Sequence, residues 1–314
     1  IDAVLEPLAT VFELCGWFHE GEKIFAEAVA HCQRSDSTLS PNHRSLQTEG
    51  KLMARLAFFS QRLGKYESAK GQFLRSIELL AAEQAESEMI YCLNNLGDIA
   101  RVEGNYEQAQ RYLEQSIQLC KTHGVTLLQG RAFNILGIVC GTKGEYDLAK
   151  LHFNESLQIC ESIEDQLGIA KALNNLGLLA YFAQDYSAAT HFCQRSLTIN
   201  QELGHRYDAA LALSNLGAAA QKQKNYSKAV QMLRESCAIL QQIGSELGVG
   251  SALVSLSAAL LEQGKSEEAG THYLEVLHLA RKIRSKPLTL AGLAGIAALY
   301  AAKGHWDEAV TLAT

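Results

Sequence analysis

The chain has 314 residues, a formal net charge of -6, 47% hydrophobic content and only 7% aromatics. That length and apolar content suit two ordinary domains or one extended repeat array. The acidic balance without a long basic run argues against nucleic acid as a partner, because phosphate binding needs clustered Lys and Arg.

No apolar run approaches the roughly 20 residues that cross a bilayer, so no membrane partner is expected. The prolines are Pro7, Pro41 and Pro287, and no Pro-rich linker or low-complexity tract divides the chain. It reads as one continuous ordered domain. The sequence starts at Ile1 without an initiator Met or signal peptide and stops at Thr314 inside a helical pattern, as expected of a piece of a longer polypeptide.

Taken in chain order, residues 1–34 read as an atypical N-terminal repeat, with Pro7 implying a short or kinked first helix. Gly16, Phe18, Gly21 and Phe25 match Gly64, Tyr66, Ala69 and Phe73 at a step eight residues longer than the regular one. The excess falls in an inserted loop over 35–45, where Ser40 and Pro41 suit the cap and first turn of the next helix.

Residues 46–286 form a regular array with a step of about 40. One column holds Tyr66, Tyr106, Tyr146, Tyr186, Tyr226, Ser266 and Trp306. Two residues earlier stand Gly64, Gly104, Gly144, Gln184, Lys224, Gly264 and Gly304. Glycine there allows positive φ between two helices, so Gln184 and Lys224 are expected to reach the turn differently.

An alanine column runs from Ala69 to Ala309 and lets paired helices approach closely. The first helix of each pair carries Leu56, Leu96, Leu136, Leu176, Leu216, Leu256 and Ile296, each followed by Ala, Gly or Ser. This predicts seven full hairpins and an eighth, over 287–314, truncated in its second helix, whose end at Asp307–Thr314 is too short to hold alone.

The eight cysteines include no Cys-x-x-Cys pair, and Cys120, Cys140 and Cys160 fall in apolar columns of the repeat. They read as small reduced core residues, which points to the cytoplasm. The histidines offer no zinc spacing, and neither a metal nor a cofactor is expected. No phosphate loop, His-Glu-x-x-His or Gly-x-Ser-x-Gly occurs, so the chain is not expected to be an enzyme.

The leucine, small-residue, glycine, tyrosine and alanine pattern resembles the tetratricopeptide repeat over nearly the whole chain. That resemblance implies an all-α, right-handed α-solenoid whose first helices line a concave groove.

At about 100° per residue, Tyr91, Asn94, Asp98 and Arg101 oppose the apolar side of their helix and are expected to face that groove. Lys51, Arg131 and Lys171 share the column of Tyr91, while Asn134 and Asn174 share that of Asn94. Tyr181 continues the column of Arg101, with Phe182 beside it. Asn215 belongs with Asn95 and Asn175 in a recurrent Asn-Leu-Gly triplet. Asparagine presents donors and an acceptor to an extended peptide, and Arg or Lys holds carboxylates. The same Asn residues equally suit backbone groups between hairpins, and both readings stand at this stage.

The segments FELCGWFHEGEKIFAEAVAHC and KPLTLAGLAGIAALYAAKG, flanking the array, resemble the C-terminal repeats of bacterial signal-transduction ATPases of the STAND class. The resemblance implies a sensor that binds a protein or peptide, with a small-molecule effector also open, and an upstream NB-ARC- or NACHT-like nucleotide switch. A freestanding scaffold and a receptor for short signalling peptides are the alternatives.

Overall fold

A computed structural model describes residues 2–36, 43–81, 85–283 and 285–305. Among them are fifteen α-helices and no strand. They are α1 (Asp2–Cys15), α2 (Phe18–Asp36), α3 (His43–Arg62), α4 (Tyr66–Ala81), α5 (Glu86–Val102), α6 (Tyr106–His123), α7 (Thr126–Thr142) and α8 (Tyr146–Ser162). There follow α9 (Gln166–Phe182), α10 (Tyr186–Leu203), α11 (Arg206–Lys222), α12 (Tyr226–Gln242), α13 (Glu246–Glu262), α14 (Ser266–Lys282) and α15 (Lys286–Ala302).

Odd and even helices alternate as first and second members of hairpins, which is the expected all-α repeat architecture. The sequence-predicted roles of Ser40 and Pro41, and of Trp306, Ala309 and Asp307–Thr314, lie outside the described residues.

The chain divides into two compact units, Ile1–Ala172 and Leu173–Thr314, with the boundary inside α9. In the first unit each helix from α1 to α8 packs on the next, and the first helices also touch one another, α3 on α5 and α5 on α7. In the second unit α10 to α15 pack in order, with α11 on α13 and α13 on α15. Within each unit, therefore, the first helices form one continuous inner wall. α1 runs for 14 residues with Pro7 inside it, so the proline does not end the helix.

Every hairpin turn uses one device. Gly64 (φ 75°), Gly104 (φ 79°) and Gly144 (φ 83°) are left-handed. The next amide reaches back to the helix, as in Asn105 N–H to Ala100 O at 2.8 Å, and so satisfies a carbonyl left over at the helix end. Gln184 (φ 64°) and Lys224 (φ 61°) adopt the same conformation and make the same bonds, Asp185 N–H to Ala180 O and Asn225 N–H to Ala220 O, both at 2.9 Å. The expectation that they turn differently is corrected: closing the hairpin outweighs the local strain of a Cβ in this region.

The small-residue column is a space constraint. A Cβ on Gly97 would lie 2.7 Å from Leu113 Cγ, on Gly137 2.6 Å from Phe153 Cδ1, and on Gly217 2.6 Å from Leu233 Cγ. Each first helix thus sits directly on the large residue of its partner.

A further column joins them by hydrogen bonds. Buried Ser76, Ser156 and Ser236 on the second helices donate to Gly50 O (2.7 Å), Gly130 O (2.8 Å) and Ala210 O (2.7 Å) of the first helices.

Cys92, Cys120, Cys140, Cys160, Cys193 and Cys237 are buried, whereas Cys15 is exposed and departs from the core reading. Burial pushes the Cys92 and Cys193 thiols up to about 12, so they stay protonated and inert.

Candidate functional site

The first helices of the 1–172 unit carry a line of incompletely covered positions along their inner wall: Lys51, Tyr91, Arg131 and Lys171 in one column, and Phe58 and Asp98 in another. Part of this line is polar, and Asp98 on it is bonded both within its helix and to the preceding repeat. Gln61 Nε2 donates to Asp98 Oδ2 at 2.9 Å, and Arg101 donates to Asp98 Oδ1 through both Nη2 (2.7 Å) and Nε (2.9 Å). Asp98 and Arg101 are therefore engaged with each other, and Asp98 is tied to the preceding repeat through Gln61.

Arg55 was not singled out from sequence, yet it anchors the N-terminal end of the wall. It is only 4% exposed, pairs with Glu6 of α1 and with Glu88 at 3.0 Å, and lies 4.3 Å above the Tyr91 ring. Such a charge is tolerated only because carboxylates and a π-face replace its water. Tyr91 is thus a half-buried platform beneath a guanidinium. Burial pushes its hydroxyl up to about 12, against the opposing influence of Arg55.

Glu13 of α1 was likewise not anticipated. Its carboxylate meets Arg62 at 2.8 Å. Burial alone would raise its pKa, but Arg62, then Lys171 and Arg131, outweigh burial and hold the carboxyl below its ordinary value. Three cations from three repeats therefore act on one carboxylate. Among the described residues, neither Arg131 nor Lys171 makes a hydrogen bond or an ion pair within 4.0 Å. They are the two inner-wall cations available to an incoming anion.

Asn94 is corrected. It is buried, its Nδ2 donates to Leu128 O at 2.9 Å, and its Oδ1 accepts from Ser116 Oγ at 2.6 Å. It ties α5 to α6 and to the next repeat, with donor and acceptor both used internally. One position along, Asn95 faces more openly but donates to Tyr91 O of its own helix at 2.8 Å. Asn134 shares the Asn94 column and is half-buried.

In the 173–314 unit, Asn215 Nδ2 donates to Asn174 Oδ1 at 3.0 Å, so this pair links neighbouring first helices. Tyr181 is half-buried and meets Phe182 edge-on with ring centroids 5.7 Å apart, while Phe182 is 58% exposed. Among the described residues, no ion pair joins two first helices of that unit. Its positions in the column of Arg131 are Leu211, Ser251 and Ala291, and in that of Asp98 Leu178, Ala218, Ala258 and Ala298.

No group of three His, Cys, Asp or Glu side chains that would hold a metal ion occurs among the described residues, and none of their helices is long and apolar enough to cross a membrane.

The hairpins, their shared turn and their inner wall define a repeat protein of the helical-hairpin class. The family model for the tetratricopeptide repeat matches residues 48–121, 88–162 and 168–242, and the chain belongs to that family. No curated protein matches it in sequence.

Among solved structures it is similar to aspartyl phosphate phosphatase F from Bacillus subtilis, at 13% identity and a TM-score of 0.67, over 97% of this chain and 92% of that one. It is also similar to a Rap protein complexed with competence and sporulation factor, at 13% identity and a TM-score of 0.60, over 98% of both chains. A third is a signal transduction ATPase with numerous domains from Pyrococcus horikoshii, which has a tetratricopeptide repeat sensor. There the identity is 18% and the TM-score 0.60 over 86% of this chain, which spans 42% of that protein. These likenesses concern the fold.

Proposed function

We propose that the inner wall of the 1–172 unit binds an extended acidic segment of a protein or peptide, and that the chain is the sensing module of a larger nucleotide-driven regulator. The observation that carries the binding half is the pair Arg131 and Lys171, which have no ion-pair partner among the described residues and act electrostatically on Glu13. A carboxylate of the ligand takes the place beside them that Glu13 approaches from α1, while Tyr91, held in place by the buried Arg55, is already ordered in the same column. Binding here is recognition, with no catalytic step assigned to the chain.

Support for the sensor half comes from the sequence resemblance to STAND-class arrays and from the likeness to the Pyrococcus horikoshii ATPase, of which a chain of this length is one part. In such a regulator the ligand needs only a few kcal/mol of preference for one state to move the switch. A second reading, a receptor for a short signalling peptide, draws on the whole-length likeness to the peptide-bound Rap protein. The two share the binding event and differ in what it controls.

A displayed random-peptide library selected against the chain tests the binding half. Selection is expected to enrich Asp and Glu on the wild type and to lose that enrichment on the Arg131→Ala, Lys171→Ala double variant. Peptides without acidic residues, or equal enrichment on both proteins, would overturn it. The sensor half requires a phosphate loop in the natural gene product, and a gene product without one leaves the peptide-receptor reading.

A further inference from the structure

Two side chains on the outer helix of the fourth repeat depart from their columns. Leu148 and Leu151, one turn apart on α8, are 48% and 52% exposed. In the other repeats the first column holds Ser68, Gln108, Ala188, Lys228 and Glu268, and the second holds Gly71, Arg111, His191, Gln231 and Thr271. Elsewhere this outer ridge is small or polar, as a solvated helix face requires. A pair of leucines left in water marks an interaction site more often than a scattered single one does.

Leu148 also borders a cleft of about 410 Å³ between α6 and α8, floored by Ile117, Phe133 and Leu136. Its rim is acidic, with Glu114, Glu145 and Glu155 against the single ammonium of Lys121. His152 stacks on Phe133 with ring centroids 5.8 Å apart and meets Glu155 at 3.1 Å, which fixes the aromatic floor. Glu145 is satisfied by Lys143 at 2.7 Å. Glu114 accepts the Gln110 amide at 2.8 Å, and among the described residues neither Glu114 nor Glu155 has a Lys or Arg partner.

We infer that this outer cleft of the fourth repeat is a second docking surface, for a basic amphipathic helix. The helix lays an apolar side chain against Phe133 and Leu148 and sets Lys or Arg opposite Glu114 and Glu155. Charge complementarity selects this occupant: carboxylates around an apolar floor favour a cationic segment and repel the acidic one assigned to the inner wall. The two surfaces therefore take ligands of opposite charge and act independently.

The test uses a four-turn helical peptide of leucine and lysine, labelled for fluorescence anisotropy. The Leu148→Gln, Leu151→Arg double variant carries the residues that the third repeat holds in the same columns, so its helix is retained, which circular dichroism checks. It is expected to bind the peptide about tenfold more weakly than the wild type, in the range of a buried apolar anchor. Glu114→Gln with Glu155→Gln is expected to weaken binding less and to flatten its salt dependence. Arg131→Ala with Lys171→Ala is expected to leave it unchanged.

The inference is overturned by absent binding, by equal affinity for the Leu148→Gln, Leu151→Arg protein, or by a loss at Arg131 and Lys171, which would place the peptide on the inner wall. A leucine–glutamate peptide of the same pattern that bound equally well would also overturn it. None of these outcomes depends on whether the inner wall binds an acidic segment.

Discussion

The inner walls of the two units are built on the same frame and differ in chemistry. In the 1–172 unit the wall carries Arg55, Arg101, Arg131 and Lys171 with Glu88 and Asp98, and α1 adds Glu6 and Glu13. In the 173–314 unit the column of Arg131 and Lys171 continues as Leu211, Ser251 and Ala291, and that of Asp98 as Leu178, Ala218, Ala258 and Ala298. That of Arg55 continues as Asn175, Asn215, Ser255 and Gly295, while Asp208 keeps an acid in the column of Glu88. The small-residue, alanine and serine columns that hold the hairpins together recur in both. Columns that repeat throughout hold the frame, and the columns whose chemistry changes between units are those on which the proposed binding rests.

The largest expected effect tests the shared frame. Gly137→Ala in one unit and Gly217→Ala in the other each push a Cβ to 2.6 Å from a packed side chain. Both are expected to cost about 1–3 kcal/mol of stability by overpacking, read by denaturant unfolding. A cost confined to one unit would break the claim that the frame is common.

Turn glycines sharpen the comparison with opposite signs. Gly144→Ala places a Cβ at φ 83° and is expected to cost about 1–2 kcal/mol, whereas Gln184→Gly and Lys224→Gly relieve that strain and are each expected to gain up to about 1 kcal/mol. A drop in thermal midpoint on either glycine replacement would contradict the reading of those turns.

Smaller again is the serine column. Ser156→Ala and Ser236→Ala each remove the second donor of a buried helix carbonyl and are expected to cost about 1 kcal/mol, equally in both units. The smallest effect belongs to charge. Because the folded-state value of Glu13 is depressed, its contribution is present above its unfolded pKa and is lost as pH falls through the folded one. Arg131→Ala is expected to move the Glu13 titration upward in a carboxyl-carbon NMR experiment, and an unmoved titration would remove Arg131 from its surroundings.

The hairpins were legible because their determinants recur: a left-handed residue, an aromatic two positions on, and a small residue under each large one. Even the atypical first repeat kept register, since Gly16 and Gly64 both close a turn at positive φ and Phe18 and Tyr66 both open a helix. Asn94 was misplaced because a helical wheel separates its direction from that of Asn95 by only about 100°, and the tilt of the next repeat decides which of them is covered. Arg55 and Glu13 were missed because their partners come from other repeats, at separations no local pattern encodes. The serine column was visible as Ser76, Ser116, Ser156, Ser196 and Ser236, but its meaning depended on a partner in the first helix, a carbonyl 26 residues back for Ser76, Ser156 and Ser236 and the Asn94 side chain for Ser116.

The contrast between the two walls is tested most directly by calorimetric titration of one acidic peptide, taken from the library selection, into three proteins: the wild type, Arg131→Ala with Lys171→Ala, and Ser251→Ala with Ser255→Ala. The charged-wall account predicts at least about a tenfold loss of affinity for the first pair, at the scale of charge-assisted contacts, with a flattened salt dependence, and no change for the second. Wild-type affinity in the Arg131 and Lys171 variant, or a loss confined to the serine variant, would contradict it.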